Sequence, residues 1–172
     1  MELSCSSCLI RSFRADDAPA LALQANDYTI WINVRDRFPH PYELHHAEDF
    51  IGAVRSADPE VHFAIEAGGE FAGAIGIQLQ EDVYRLSGEV GYWIGAAYRG
   101  QGIVPEALRA FVPWAFSRFG LHKIYAGVFE HNSASVRVLE KAGFRHEAVL
   151  RDAAFKAGQI LSEHRYYRLA AD

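Results

Sequence analysis

A glycine-rich turn between a strand-like segment and a helix-like segment constrains the fold of this chain more than any other feature. The turn covers residues 98–104 (YRGQGIV), after the strand-like run 88–94 (GEVGYWI) and at the start of an amphipathic segment that begins at Ile103. Such a turn presents several backbone N–H groups at the positive end of the helix dipole, and these groups bind phosphates without basic side chains. The segment therefore predicts a binding site for a ligand that carries phosphate groups.

Two common phosphate-binding motifs do not fit this turn. A dinucleotide-binding fold needs the pattern GxGxxG after its first strand, whereas this turn lies past the midpoint of the chain and lacks the third glycine. A P-loop needs Gly-Lys followed by Ser or Thr, which the chain does not have. A tight turn that binds no ligand remains open as the alternative.

Length and composition predict one globular domain over residues 1–172. Half of the residues are hydrophobic and 13% are aromatic, which excludes a disordered chain. No apolar run approaches the roughly 20 residues that cross a bilayer, and the N-terminus lacks a signal-peptide core, so we expect a cytoplasmic protein without a membrane partner. The formal net charge of −5 disfavours nucleic-acid binding and suits a cationic or amine substrate.

Neither the cysteines nor the histidines predict a metal site. Cys5 and Cys8 are the two cysteines, in a CxxC pattern that lacks the further ligands of a zinc site and the βαβ context of a thioredoxin-like site. The eight histidines show no HExxH or equivalent spacing. We therefore predict no metal ion, and two thiols in a loose N-terminal segment of a protein in a reducing compartment.

Hydrophobic periodicity predicts a continuous run of alternating helices and strands. The predicted helices are 28–36, 43–55, 103–119 and 132–142, with a further one that starts near Asp16, and the predicted strands are 9–13, 61–67, 71–77, 87–94, 122–129, 144–151 and 160–169. Gly68-Gly69 predicts a hairpin, and the strand–helix–strand step through residues 103–119 predicts two parallel, neighbouring strands. The order indicates an α/β (α+β) chain with a mixed, mostly antiparallel central sheet of about seven strands and helices on both faces.

Several short motifs follow one another between residues 41 and 144. They are PYxxxxAxxFI at 41–51, GYWI at 91–94, Arg99-x-x-Gly102, Glu106-Ala107, Asn132-x-x-Ser135 and LEKAGF at 139–144. In this order and spacing they resemble the acetyl-CoA-binding core of the GCN5-related N-acetyltransferase (GNAT) superfamily, and they are similar to its RimJ/RimL-like branch of ribosomal-protein N-terminal acetyltransferases. The resemblance covers about Leu9 to Leu169 and implies the acyl-CoA N-acyltransferase (GNAT) fold, with acetyl-CoA (coenzyme A) as the cofactor.

Two positions depart from the family pattern. The sixth position of the turn is Val104 rather than Gly or Ala, so we expect the helix to start slightly differently around a branched side chain. Leu139 stands where many members carry a tyrosine acid, seven residues after Asn132, so no tyrosine is assigned that role. The RimJ/RimL-like branch usually lacks this tyrosine, and the departure therefore does not exclude catalysis.

The resemblance implies that the pantetheine arm of the cofactor pairs beside strand 87–94 like an extra strand. A splayed strand end would offer the backbone N–H of Ile94 or Gly95 to the developing oxyanion, and Gly95 suits a bulge there. Arg99 would add charge near the phosphates. The residues predicted to bind the cofactor are Trp93, Ile94, Gly95, Arg99, Gly100, Gln101, Gly102, Ile103, Val104, Asn132 and Ser135.

Acyl transfer needs a neutral amine, yet an N-terminal amine has a pKa near 8 and a lysine one near 10.4. We predict that Glu89 accepts the proton, directly or through water. Strand alternation places Glu89, Gly91 and Trp93 on one sheet face, and in several superfamily members a glutamate on this strand serves as the base. A solvated glutamate near the start of a strand is the alternative.

Asn132 and Ser135 each have two interpretations. Asn132 is placed to cap a helix, and by resemblance its side chain also contacts the pantetheine arm. Ser135 is predicted to protonate the leaving thiolate, although a thiol pKa near 8.5 makes such an acid helpful rather than essential. An ordinary helix-surface serine is the alternative.

The resemblance also predicts residues that bind the amine acceptor, because in relatives the helices of the first third of the chain cover the active-site cleft. The residues predicted to bind the acceptor are Tyr28, Trp31, Arg35, Tyr42 and His164. Aromatic side chains on helices are more often part of a core, which is the alternative interpretation for this set.

Together with the resemblance, the sequence predicts an acetyl-CoA-dependent N-acetyltransferase that works by direct attack of a neutral amine in a ternary complex. The acceptor would be a protein N-terminal amine or a small-molecule amine. Nucleic acid and membrane are not expected partners, and a homodimer is compatible with the resemblance. A non-catalytic acyl-CoA-binding sensor or interaction module and a CoA-free scaffold remain as alternatives.

Overall fold

The computed structural model describes all 172 residues. The strands are β1 (Glu2–Ser4), β2 (Leu9–Arg11), β3 (His62–Ala67), β4 (Glu70–Leu79), β5 (Ser87–Ile94), β6 (Lys123–Phe129), β7 (Arg145–Lys156) and β8 (Gln159–Leu169). The helices are α1 (Ala18–Ala25), α2 (Tyr28–Trp31), α3 (Leu44–Ser56), α4 (Ile103–Phe119) and α5 (Ser133–Lys141), with short 3₁₀ helices at Ala15–Asp17, Asp82–Tyr84 and Ala96–Tyr98. None of the helices has the length and apolar composition needed to cross a membrane.

The strands form one open sheet in the order β1-β2-β3-β4-β5-β6-β8-β7. The pairs β1–β2, β2–β3, β3–β4, β6–β8 and β7–β8 are antiparallel. The neighbours β5 and β6 are parallel, over residues 87–89 and 123–125, as the strand–helix–strand step predicts. The mixed, mostly antiparallel sheet is therefore confirmed, with eight strands rather than about seven.

The additional strand lies at the N-terminus, where we expected a loose segment. β1 pairs with β2 in register from Glu2↔Arg11 to Ser4↔Leu9, and the Cys5 backbone N–H donates to the carbonyl of Cys8 at 2.8 Å. Both thiols are free, and burial raises the pKa of Cys8 to about 12. The expectation was wrong because β1 is only three residues long, which is too short for an alternating pattern to predict a strand.

Two hairpins differ in how well the sequence predicts them. Gly68 and Gly69 have φ values of +61° and +83°, which is the left-handed geometry of a two-residue hairpin turn, and β3 and β4 flank them as predicted. Ala157 and Gly158 form the equivalent turn between β7 and β8, with φ values of +50° and +80°. An alanine rarely takes this conformation, so the turn was not recognised and β7 continues five residues past its predicted end at residue 151.

The second predicted helix, 28–36, is also shorter than expected. The Asp27 side chain caps α2, but after Trp31 the backbone continues through tight turns, in which Asn33 donates to Ile30 and Val34 donates to Trp31. Asn33 and Val34 have weak helix propensity, which disfavours continuation of the helix past Trp31.

β7 is the end strand of the sheet, and its pairing with β8 is interrupted twice. The register shifts between His146 and Ala148 and again between Leu150 and Ala154. Asp152, inside the second interruption, has a φ of +50°. The strand is therefore bent rather than flat over its length.

The chain divides into two compact units, each with its own buried residues. The first comprises residues 1–76 and 92–107, and the second comprises residues 77–91 and 108–172. One core cluster of the first unit consists of Phe13, Ala18, Leu21, Ala25, Tyr42, Ala47, Ile51, Val54, Ala64, Phe71 and Ala74. Buried residues of the second unit include Val90, Leu108, Phe111, Ile124, Ala126, Val128 and Leu139.

Candidate functional site

The glycine-rich turn has the backbone geometry that the sequence predicts. Gly100 and Gly102 have φ values of +74° and +78°, and a Cβ atom on either would meet no other atom within 4 Å. The glycines are therefore required by the backbone conformation and not by lack of space. Residues 99–102 are exposed, and α4 begins at Ile103, so the first N–H groups of the helix lack acceptors within it. Such a turn can bind an anion.

Val104 does not shift the start of α4. The helix begins at Ile103 as expected, and the side chains of Ile103 and Val104 are both buried, with 3% and 6% exposure. The branched side chain points inward, so it does not cover the exposed glycine backbone that precedes it.

Arg99 is held by α2 instead of lying free beside the turn. Its guanidinium donates to the carboxylate of Asp27 at 2.7 Å and to the hydroxyl of Thr29 at 2.8 Å. Burial would raise the pKa of Asp27, but hydrogen bonds from Thr29 and the charge of Arg99 outweigh burial and lower it. The positive charge of Arg99 is thus largely balanced before any ligand binds.

Glu106, in the first turn of α4, anchors the turn between β1 and β2. Its carboxylate accepts hydrogen bonds from the backbone N–H groups of Ser6 and Ser7, the latter at 3.2 Å, and from the Ser7 hydroxyl. These bonds, first that from the Ser7 side chain, lower the pKa of Glu106. No local pattern in the sequence reveals this attachment, because the partners are 99 and 100 residues apart.

The end of β5 offers one of the two predicted oxyanion donors. The Gly95 N–H donates to the carbonyl of Ala72 on β4 at 2.8 Å, so it is already used. Gly95 makes room for the Gln24 side chain, because a Cβ atom there would lie 2.0 Å from the Gln24 side-chain oxygen, which would have to move. Successive N–H groups of a strand point to opposite edges, so the bond from Gly95 to β4 leaves the Ile94 N–H as the candidate oxyanion donor of the two.

Trp93, by contrast, belongs to an aromatic cluster of the first unit. Its ring lies 5.9 Å from the rings of both Phe38 and Phe71, measured between centroids. A Cβ atom on Gly73 would lie 2.3 Å from the Trp93 carbonyl oxygen, so the glycine allows β4 to approach this residue closely. Any contact of Trp93 with a cofactor would come from its backbone or from the part of the ring outside the cluster.

The four residues of the first unit that are predicted to bind the acceptor lie in different environments. Tyr28 is 55% exposed, and with Trp31 it packs around His40 at centroid distances of 5.6–5.9 Å. Arg35 is exposed. Tyr42 is only 7% exposed and packs on Phe38, and burial raises its pKa to about 12, so this tyrosine is a core residue.

Glu89 lies on the less buried sheet face of the second unit. It is paired with Tyr125 at the end of the parallel ladder between β5 and β6, and its neighbours Gly88 and Val90 are buried on the other face. β5 and β6 both continue past this pair. The parallel register ends at this pair, after three residues on each strand.

His164 is not brought to the face that carries Glu89. In the register of β6 and β8, Tyr167 opposes Tyr125 and therefore shares the face of Glu89, so Glu163 and Arg165 share it too. His164 alternates to the opposite face, where its ring lies 5.6 Å from that of His146. Strand alternation groups His164 with Tyr166, and Glu163 with Arg165, but only the register of β8 against β6 decides which of these pairs shares the face of Glu89.

Asn132 and Ser135 are linked by the cap of α5. The side-chain oxygen of Asn132 accepts the backbone N–H of Ser135 at 3.2 Å, which is the predicted helix cap. Asn132 retains its amide NH₂ group as a donor, so the cap leaves room for a second role.

Glu43, His45 and His46 bring potential metal-ligating atoms within 4.8 Å of one another. His46 already serves as a cap, because its Nδ1 accepts the backbone N–H of Glu43 at 3.0 Å. The three residues lie close together because they form the capped start of α3, and we assign no metal ion to this cluster.

Comparison with known proteins agrees with this geometry. The model of the acetyltransferase (GNAT) domain family matches residues 8–145. The "Probable N-acetyltransferase YjcK" of Bacillus subtilis (strain 168) is 48% identical over 62 residues, which are 36% of this chain and 34% of that protein. The ribosomal protein uS5-alanine N-acetyltransferase of Escherichia coli (strain K12) is 33% identical over 70 residues, which are 41% and 36% of the two chains. The chain therefore spans about a third of the length of these curated relatives.

Solved structures give the same fold. RimL, a ribosomal L7/L12 α-N-protein acetyltransferase in complex with coenzyme A, superimposes with a TM-score of 0.88 over the full length of both chains, at 18% identity. At this identity the likeness concerns the fold alone, whereas the family model covers most of the chain. The chain is a member of the GNAT acetyltransferase family.

Proposed function

We propose that the protein is an N-acetyltransferase that transfers the acetyl group of acetyl-CoA to a primary amine by direct attack in a ternary complex. The observation that carries this proposal is the turn at Gly100 and Gly102, whose left-handed backbone leads into the start of α4, where the first N–H groups have no acceptor within the helix. Some relatives are named N-acetyltransferase, and a structural neighbour is in complex with coenzyme A. These comparisons support acetyl-CoA as the ligand whose phosphates bind to the turn.

In this proposal the phosphates of acetyl-CoA bind to backbone N–H groups of Gln101, Gly102, Ile103 and Val104. The guanidinium of Arg99 plays a smaller part than the sequence suggested, because Asp27 and Thr29 already occupy it. Arg99 would instead hold the turn in shape through its bonds to α2. Acetyl-CoA supplies an activated acyl group as a thioester.

Residues of β5 and α5 would carry out proton transfer, stabilise the oxyanion and bind the pantetheine arm. Glu89 accepts the proton that the amine must lose before it can attack, and the Ile94 N–H stabilises the oxyanion. The Asn132 amide binds the pantetheine arm, and Ser135 donates a proton to the leaving thiolate. Each role uses a group whose chemistry suits it, and the three side-chain roles can be tested by mutation.

The acceptor is a peptide N-terminus or a small-molecule amine. Relatives and neighbours that are named ribosomal-protein acetyltransferases favour a peptide. A panel of peptides with different N-terminal residues, polyamines and aminoglycosides, assayed for thiol release from acetyl-CoA, tests the proposal and names the acceptor class. Tight acetyl-CoA binding without release on any acceptor would favour a non-catalytic sensor.

Glu89→Gln tests the base directly. We expect kcat/KM to fall about 100-fold or more, since a general base contributes on the order of 10²–10⁴ in rate, while the acetyl-CoA Kd stays unchanged. Glu81→Gln, at an exposed position before β5, is the matched control and should retain full activity. Full activity of Glu89→Gln would remove Glu89 from the mechanism.

A further inference from the structure

Arg165 on β8 shares a sheet face with the proposed base, Glu89. Glu89 is paired with Tyr125 on β6, and two residues further along β6 Gly127 is opposed to Arg165, without a shift in register. Opposed residues, and residues two apart on a strand, point to the same face of a sheet. Glu89, Tyr125 and Arg165 therefore lie on one face of the second unit, with Tyr125 on the strand between the other two.

Two contacts position the guanidinium of Arg165. Its carbon lies 4.8 Å from the centre of the Tyr125 ring, which is a cation–π contact. Nη2 donates to Glu163 at a long 3.4 Å, and the Glu163 carboxylate lies over Gly127, where a Cβ atom would be 2.5 Å from the carboxyl carbon. The contact with Tyr125 brings the guanidinium toward Glu89, because Glu89 is the neighbour of Tyr125 on β5.

Most hydrogen-bond donors of Arg165 are unused. A guanidinium has five N–H groups, and the bond to Glu163 uses one of them. Nε is buried without a partner, whereas Nη1, which has no partner either, reaches solvent on a side chain that is 35% exposed. By contrast, the structural Arg11 holds the carboxylates of Asp17 and Glu66 at 2.6–2.8 Å. The open donors of Arg165 suit an oxygen atom of a ligand.

Three other basic residues of this face do not offer such donors. The registers place Lys123, Arg145 and Lys156 on the face of Arg165. Lys123 and Arg145 each form an ion pair with an acid, and Lys156 is only 2% exposed. Arg165 is therefore the basic residue of this set that combines open donors with a position beside Tyr125.

We propose that Arg165 determines acceptor specificity by binding the oxygen next to the reactive amine, either the first carbonyl oxygen of a peptide or the carboxylate of an amino acid. The inference rests on the proposed function and names its substrate class, an α-amino carbonyl compound. One carbon separates the amine from the carbonyl group in such a compound, so a single residue can place its amine at Glu89 and its oxygen at the guanidinium above Tyr125. Guanidinium N–H groups bind carboxylate and carbonyl oxygens well, and an amine without this oxygen would leave them unpaired.

Arg165→Lys tests this assignment, because lysine keeps the charge beside Glu163 and removes the planar fork of donors. Three matched acceptors are compared: the peptide that is acetylated fastest, the free amino acid of its first residue, and the amine in which hydrogen replaces the carboxyl group of that amino acid. We expect the wild-type protein to favour the peptide or the amino acid over the amine about tenfold or more in kcat/KM. The favoured acceptor distinguishes a peptide carbonyl from a free carboxylate.

In Arg165→Lys the KM for the favoured acceptor should rise about tenfold or more, with kcat and the Kd of acetyl-CoA within about twofold of wild type. Arg168→Lys is the control. Arg168 lies on the same strand but opposes Ile124, so it is on the other face, where it donates to the carbonyl of Ala142 at 3.4 Å. Its replacement should leave each KM within about twofold of wild type, and far-ultraviolet circular dichroism checks that both variants are folded.

Two results would overturn the assignment and leave the proposed function standing. One is acetylation of polyamines or aminoglycosides alone, and the other is an equal loss in Arg165→Lys on acceptors with and without the oxygen. Absence of turnover by the wild-type protein on every acceptor would overturn the proposed function, and this inference with it.

Discussion

At Gly102 the backbone has a φ of +78°, and no other atom lies within 4 Å of where a Cβ would stand. An L-residue can be accommodated there only at the cost of the left-handed conformation, about 1–2 kcal/mol. Because the cost is conformational and not steric, an alanine at this position tests the backbone conformation without introducing a clash. The same cannot be done at Gly95, where the Gln24 side chain would clash.

Gly102→Ala should therefore lower the free energy of unfolding by about 1 kcal/mol and weaken acetyl-CoA binding, because the N–H groups leave their present directions. Urea unfolding and isothermal titration calorimetry measure the two effects. Gly52→Ala in α3 is the control: its Cβ also meets no atom within 4 Å, and alanine favours a helix, so stability should hold or rise. Unchanged acetyl-CoA affinity in Gly102→Ala would argue against the turn as the phosphate site.

At the scale of elements, hydrogen bonds hold the start of α4 at two places. Arg99, before the helix, bonds to Asp27 at the start of α2, and Glu106, in its first turn, bonds to the turn between β1 and β2. Sequence patterns predicted the helix and its first residue well, because amphipathic periodicity and glycines are local signals. The attachments join residues 72 and 100 positions apart, and Glu106 accepts backbone N–H groups of serines that carry no signal of their own. The face of His164 was missed for a related reason, since only the register of β8 decides it.

The Glu106 attachment predicts a pH dependence. Its pKa is lowered, so the attachment stabilises the protein above the ordinary glutamate pKa and is lost as the pH falls through the lowered value. The amide signals of Ser6 and Ser7 in NMR spectra should titrate with a midpoint below about 4.3. Glu106→Gln should abolish this titration and speed hydrogen exchange at the two amides, while Glu48→Gln, at an exposed site on α3, should not. A midpoint at or above the ordinary value would contradict the attachment.

At the scale of the whole molecule, stability draws on a buried ion network in the first unit. Arg11 is 4% exposed and donates to both oxygens of Asp17 at 2.8 Å and to Glu66 at 2.6 Å. Burial would raise the pKa of Asp17, but hydrogen bonds from Arg11 and from the Arg14 backbone outweigh it and lower it. The stability from Asp17 is therefore present above its unfolded pKa and is lost as the pH falls through the folded one.

Arg11→Ala should destabilise the protein by about 3–5 kcal/mol at neutral pH, because it leaves the buried Asp17 carboxylate without its counter-ion and removes the nearer of the two cations beside Glu66. Urea unfolding measures the loss. Arg14→Ala is the control, since the Arg14 side chain is 55% exposed and lies 3.6 Å from Glu66, and the change should cost less than about 1 kcal/mol. Equal losses in the two variants would mean that the network contributes no more than a surface ion pair.

The bent course of β7 also affects how copies of the protein behave toward one another. As the last strand of the sheet, β7 has one edge with no neighbouring strand, and a flat strand of twelve residues would present a row of N–H and C=O groups along this edge as a template for aggregation. The two register shifts and the left-handed Asp152 divide that row into short, differently directed pieces. The protein can thus carry a long end strand, with the exposed Phe155 near its tip, and still resist edge-to-edge polymerisation.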